Sequence, residues 1–143
     1  MVKFVPFELT LGLRSKVLRN NLPLDACVFP TDQVEGAFHL AFYVQDEIAT
    51  IASFFPKNQK DHQSLGYQLR GMATDPPFVG KGYARQVINF AVNYIKNTNA
   101  KYIWCNARKT AVDFYKKQGF QVSSEEFEVA GIGPHYEMIL NLY

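Results

Sequence analysis

The stretch Phe78–Ala91, FVGKGYARQVINFA, decides how this chain is read. From Ala84 onward the apolar residues Val87, Ile88, Ala91, Val92 and Ile95 recur at the i, i+3, i+4, i+7 spacing of a helix with one buried face. Two glycines one residue apart, Gly80 and Gly82, stand at the mouth of that helix. Glycine costs about 1 kcal/mol against alanine inside a helix. The pair therefore belongs where the backbone turns with positive φ, or where something must approach it closely.

Upstream, SLGYQLRGMAT reads as a strand that stops at Asp75-Pro76-Pro77, and downstream KYIWCNA reads as a second, buried strand. The glycine-led helix is thus the crossover of a β-α-β unit. Further out, VKFVPF predicts a first strand, and LGLRSKVLRNNL a helix in which Arg14 and Arg19 sit among the apolar residues and are expected in solvent, with a part in a ligand site as the alternative. The segment around Pro23, Pro30 and Gly36 predicts a loop. AFHLAFYVQDEIATIASFFP predicts a hairpin about Gln45-Asp46-Glu47. TAVDFYKKQG is a short helix with Gly119 as its C-cap, and FQVSSEEFEVAG and PHYEMILNLY are two closing strands. The order β-α-β-β-β-α-β-α-β-β predicts one α/β domain over residues 1–143. Its sheet is mixed and mostly antiparallel, flanked by helices.

Composition narrows the function classes. The chain has 143 residues, a net charge of +2 and no basic run, which argues against a nucleic-acid partner. No apolar run has the length of a membrane span, and Lys3, Pro6 and Glu8 interrupt the only segment placed to be a leader. Cys27 and Cys105 have no disulfide or metal spacing, and the three histidines lie far apart, so no metal site is expected. A cytoplasmic protein is expected.

The first amides of a helix lack internal partners and carry partial positive charge, which suits a phosphate or pyrophosphate. The pattern G-x-x-x-x-G-K-[ST] is absent because Gly82 follows Lys81. G-x-G-x-x-G is absent because Arg85 stands at its third glycine. A ligand-cradling turn and a plain strand-to-helix turn both remain open on these residues alone.

The wider sequence resembles the GNAT superfamily of acetyl-CoA-dependent N-acetyltransferases, whose signature is [R/Q]-x-x-G-x-[G/A]. Gly80-Lys81-Gly82-Tyr83-Ala84 carries the resemblance, with WCNARKTAVDFYKKQGF and GIGPHYEM beyond it. Val79 departs from the pattern. The resemblance implies acetyl-CoA as cosubstrate, bound through the strand Met72-Ala73-Thr74 along the pantetheine and the amides of Val79, Gly80, Lys81, Gly82, Tyr83 and Ala84 at the pyrophosphate. Asn106 and Phe114 add contacts. It further implies the Met72 amide as oxyanion donor, Tyr115 as acid for the leaving thiolate, and an amine acceptor, with a homodimer common among relatives.

The general base is left open. No acid lies between Tyr67 and Thr74, so His135 is a candidate base, with a hydrogen-bonded strand histidine as its alternative. His39 is a second candidate for the acceptor cleft, with a satisfied sheet histidine as its alternative. Arg70 is a candidate for an acceptor carboxylate, or else pairs with Glu47 or Glu137. Cys105 reads as a small packed hydrophobe. A second function class, a CoA-binding sensor module without catalysis, accommodates Val79 and the missing strand acid.

Overall fold

The computed structural model describes residues 1–143. Its strands are β1 (Val2–Val5), β2 (Phe38–Val44), β3 (Glu47–Pro56), β4 (Gly66–Thr74), β5 (Tyr102–Arg108), β6 (Gln121–Val122), β7 (Phe127–Val129) and β8 (Gly133–Asn141). They form one sheet in the order β1-β2-β3-β4-β5-β8-β6, with β7 also on β8. Only β4 and β5 are parallel. Their crossover is α2 (Tyr83–Ile95), which carries the predicted periodicity. Val87, Ile88, Ala91 and Ile95 are buried against the sheet. Alternation along the strands does the rest: Phe38, Leu40 and Phe42 of β2 and Ala52 and Phe54 of β3 face α2, while Ala41 and Ile51 face the opposite layer. No helix is long and apolar enough to cross a membrane.

Two expected elements are subdivided. The closing strand FQVSSEEFEVAG is two short strands, β6 and β7, each paired with β8. The first helix is a 3₁₀ turn (Phe7–Thr10), a single turn α1 (Leu11–Leu13) and a π turn (Arg14–Leu18). It ends where Asn20 and Asn21 take positive φ and Ser15 Oγ donates to the Leu22 carbonyl.

Arg14, expected in solvent, is 1% exposed. Its Nη1 and Nη2 donate to the two Asp32 carboxylate oxygens at 2.8 Å each, with further bonds to the Cys27 carbonyl and Ser53 Oγ. Asp32 also accepts the Phe29 amide at 2.8 Å. A fork-to-fork ion pair of this kind is held by charge-assisted bonds. It fastens the 11–36 segment to the sheet, where apolar side chains alone offer a small contact. His39 belongs to the same network. Its Nε2 donates to the Asp32 carbonyl at 2.9 Å and its Nδ1 receives the Ser53 hydroxyl at 2.7 Å. Both ring nitrogens are thereby occupied and the ring is neutral.

Replacing Asp32 by Asn removes the counter-charge of a buried guanidinium and is expected to cost about 3–5 kcal/mol in urea unfolding. Burial holds His39 below its ordinary value of 6.5, against the opposing effect of the Asp32 carbonyl and carboxylate. The unfolded chain therefore binds a proton here that the folded chain refuses. Stability should fall as pH drops below 6.5, and His39→Gln should flatten that slope between about pH 7 and 5. Asp32 behaves differently. Burial raises its carboxyl, but the Arg14 and Phe29 bonds outweigh that and hold it below 3.8. Its contribution persists down to that pH and is lost only beneath it.

Candidate functional site

The site begins where two strands part. β4 and β5 pair only from Gly66–Tyr102 to Gln68–Trp104. On its other edge β4 pairs Arg70 with Ser53 and Ala73 with Ile51, so Gly71 and Met72 together oppose Ala52. This is a β-bulge led by a glycine at φ +64°. A Cβ at Gly71 would also lie 3.1 Å from the Phe29 ring. The bulge bends the strand and opens a gap between β4 and β5, with a cavity on either side of Met72.

The larger cavity, about 540 Å³, lies between the end of β4, the mouth of α2 and α3 (Val112–Lys117). Met72, Thr74, Val79, Gly80, Gly82, Tyr83, Ala84 and Phe114 line it. Gly80 and Gly82 have φ of +82° and +81°, and Gly82 is the left-handed N-cap of α2. A Cβ at Gly80 would meet nothing within 4 Å, so the turn needs glycine for its backbone and leaves open space above it. The amides from Gly80 to Arg85 donate to no group within the chain, and the first helical bond is Gln86 N–H to the Gly82 carbonyl. Tyr83 stacks on Phe42 at 4.1 Å and fixes the mouth of the helix to the sheet. Free amides, a helix N-terminus and no lining carboxylate suit a pyrophosphate.

Some expected contacts lie elsewhere. The Val79 amide is engaged by the Pro76 carbonyl at 3.3 Å, so it is not among the free donors, and the Val79 side chain is 66% exposed. The Lys81 side chain is exposed and off the cavity wall. Ala73 packs with Ala41 and Ile51 in the opposite layer, leaving only its backbone for a ligand. Thr74 Oγ1 is bonded to Thr50 Oγ1 at 2.9 Å. Asn106 lines the smaller cavity, not the larger.

That smaller cavity, about 260 Å³, lies between β4, β5, β8 and the end of the π turn. It holds Arg19, Arg70, Arg108, Asn106 and His135, with no Asp or Glu. His135 Nδ1 donates to the Gly133 carbonyl at 2.9 Å, which leaves Nε2 without a partner in the chain. Arg70 joins no ion pair, with Glu47 or Glu137 or any other acid, and its guanidinium lies over the Phe29 ring at 4.3 Å. His39 lies outside both cavities, held in the Arg14 network. The expectation of a cleft-facing His39 is corrected: its side of β2 is covered by the 11–36 segment.

Met72, Ala111 and Tyr115 belong to the walls of both cavities. Tyr115 packs edge-on to Phe114 and Phe120. Its hydroxyl makes no hydrogen bond within the chain, and burial pushes the phenol well above its ordinary value, so it keeps its proton. Burial likewise pushes the neighbouring Cys105 thiol up to about 12, which removes it as a thiolate nucleophile at neutral pH.

The sequence reading passed over Gly71, Phe29, Arg108 and Ala111. Gly71 had a signal, since an isolated glycine inside a strand pattern marks a bulge. The other three are ordinary residues that acquire a place only through the fold.

The family described as an acetyltransferase (GNAT) domain matches residues 30–142. An N-acetyltransferase of Bacillus subtilis called YitI, described as uncharacterised, is 32% identical over 142 residues, covering 99% of this chain and 95% of that protein. Among solved structures, an aminoglycoside 6'-N-acetyltransferase complexed with coenzyme A superposes with a TM-score of 0.80 at 10% identity, covering 100% of this chain and 97% of the other. Escherichia coli ElaA superposes with a TM-score of 0.76 at 18% identity, covering 98% and 99%.

Gly71→Ala tests the bulge. A left-handed conformation costs a residue with a Cβ about 1–2 kcal/mol, and the contact with Phe29 adds to that. Urea unfolding should show a loss of at least about 1 kcal/mol.

Proposed function

Because the chain belongs to the GNAT acetyltransferase family, we propose that it moves an acetyl group from acetyl-CoA directly to a primary amine, in a complex holding both substrates at once. One observation carries the reading: two cavities, one at the free amides of the α2 mouth and one lined by Arg19, Arg70, Arg108 and His135, meet at Met72, Ala111 and Tyr115. The amides from Gly80 to Arg85 would hold the pyrophosphate, the end of β4 and Phe114 would flank the pantetheine, and the acceptor would enter from the side of Arg70 and His135. The family draws its acyl group from a CoA thioester. The choice of acetyl among acyl groups, and a cytoplasmic setting, belong to this proposal.

When bound, acetyl-CoA supplies an acyl thioester activated toward an amine. The chain's own groups then divide the work. The Met72 amide, at the bulge, would donate to the acyl oxygen, where negative charge develops. The Tyr115 hydroxyl holds a proton at the junction and would donate a hydrogen bond to the sulfur of the leaving thiolate. His135 Nε2 is the acceptor available for the proton the amine sheds. Cys105 stays protonated, which favours direct transfer over an acyl-enzyme.

Two variants test the assignment. Gly82→Asp puts a carboxylate at the proposed pyrophosphate site, in space where the nearest atom to a Cβ is Arg85 Nη2 at 3.7 Å. The fold should persist while calorimetry shows loss of CoA binding. Unchanged affinity would remove the glycine turn from the cofactor site. Tyr115→Phe should keep CoA affinity and lower kcat by roughly ten- to several-hundred-fold, with little change in KM for the amine. Thiol release measured across a panel of amines provides the readout. Tight CoA binding with no release on any amine would favour a silent binding module.

A further inference from the structure

The smaller cavity carries an unusual charge balance. Arg19 closes the π turn, Arg70 stands on β4 and Arg108 ends β5. Three separate elements thus bring arginines to the lining of one cavity, with His135 among them and no carboxylate. The three ion pairs of the chain, Arg14–Asp32, Lys16–Asp75 and Lys109–Glu126, use none of these arginines. Arg70 is half-buried, and a partly desolvated guanidinium without a counter-ion is costly. The cost is maintained by construction. Phe29, the platform under Arg70, is held by the hydrogen bond its amide N–H donates to Asp32 Oδ2 and also carries Arg14 over its ring at 3.8 Å. Burial and the nearby charges of Arg19 and Arg14 all work against the Arg70 charge, which only Asp32 supports. The site is short of an anion.

Resting on the acetyltransferase reading, we propose that the acceptor is a small amine bearing an anionic group, carboxylate or phosphate, which Arg19, Arg70 and Arg108 hold in the smaller cavity while the amine faces Met72 and Tyr115. A guanidinium fork matches both anions bidentately. The volume of about 260 Å³ sets the acceptor at metabolite size. Polycations are disfavoured twice, by the like charge of the wall and by the absence of an acid to receive an ammonium. The same field favours the neutral form of the reacting amine, since nearby positive charge lowers an ammonium pKa. An acid-free cleft can therefore run amine chemistry without a carboxylate base, with the proton passing to His135 Nε2 or water.

The test uses the full chain with acetyl-CoA and matched amines that differ in the anionic group. β-Alanine is compared with 3-aminopropanol, O-phosphoethanolamine with ethanolamine, and spermidine serves as the cation. Thiol release should favour the anionic member by at least about tenfold in kcat/KM, and the pair with the larger ratio identifies carboxylate or phosphate. Arg70→Met should lower that ratio by about 10- to 100-fold, Arg70→Lys by less. Arg108→Met, on an exposed residue, should lower it in the same direction and keeps the test open if the Arg70 variant fails to fold. In parallel, calorimetry on CoA-saturated protein compares N-acetyl-β-alanine with N-acetyl-3-aminopropanol, and N-acetyl-O-phosphoethanolamine with N-acetylethanolamine. Turnover that prefers neutral or cationic amines, or ratios indifferent to every arginine variant, overturns the anionic acceptor and leaves the acetyltransferase reading standing. Arginine-dependent binding of either anionic product without thiol release from any amine upholds the anion site and overturns the transfer reaction. The absence of both turnover and arginine-dependent anion binding overturns the proposal.

Discussion

The parting of β4 from β5 is the constraint on which the rest of the site depends. Two parallel strands joined by a helix would ordinarily stay paired, because each unpaired backbone group in the interior needs another partner. Here pairing stops after Gln68 and Trp104, and the Gly71 bulge turns the end of β4 aside. Both cavities exist because of that gap, and their shared wall at Met72, Ala111 and Tyr115 is its floor. The bulge needs a glycine for two separate reasons, a φ of +64° and the Phe29 ring against its α-carbon.

The opposite layer is held differently. α2 covers its side of the sheet with a continuous apolar face. The 11–36 segment relies on a buried ion pair, with Asp32 receiving Arg14 and the Phe29 amide together. Buried pairs are weak sources of net stability but costly to break singly. Arg14 Nε has no partner at all, so even this network is not fully satisfied. What the arrangement secures is position. It sets Phe29 beneath Arg70 and occupies His39, so Arg14, Asp32 and His39 shape the cleft without lining it.

The chemistry at the junction follows from burial. Tyr115 and Cys105 adjoin each other in a desolvated wall, and desolvation favours the neutral form of both. A phenol that keeps its proton is a hydrogen-bond donor over the whole neutral range, and a thiol that keeps its proton is inert. One physical effect thus retains the donor and silences the nucleophile. On either side of these neutral groups the walls are positive, with free amides on one and guanidiniums on the other, and both accommodate anions.

The sequence by itself determined the α/β order, the crossover helix and its glycine turn, because apolar periodicity and backbone-permissive residues are local properties. Val87, Ile88, Ala91 and Ile95 are buried as their spacing requires, and Gly80 and Gly82 take the positive φ that their placement implies. The family resemblance followed from that same short turn and from segments along nearly the whole chain, LRSKVLR and FHLAFYV before it among them. Tertiary structure alone decided which polar residues meet. Arg14 shares the predicted helical segment with Arg19, yet one is buried in an ion pair and the other lines the cleft, because Asp32 lies 18 residues from Arg14 along the chain. His39 and His135 looked alike in sequence, each in an apolar strand. The layer packed over β2 engaged the first, and the open edge beside β5 left the second on the cavity wall. Burial and charge pairing are sums over distant segments, and no local pattern encodes them.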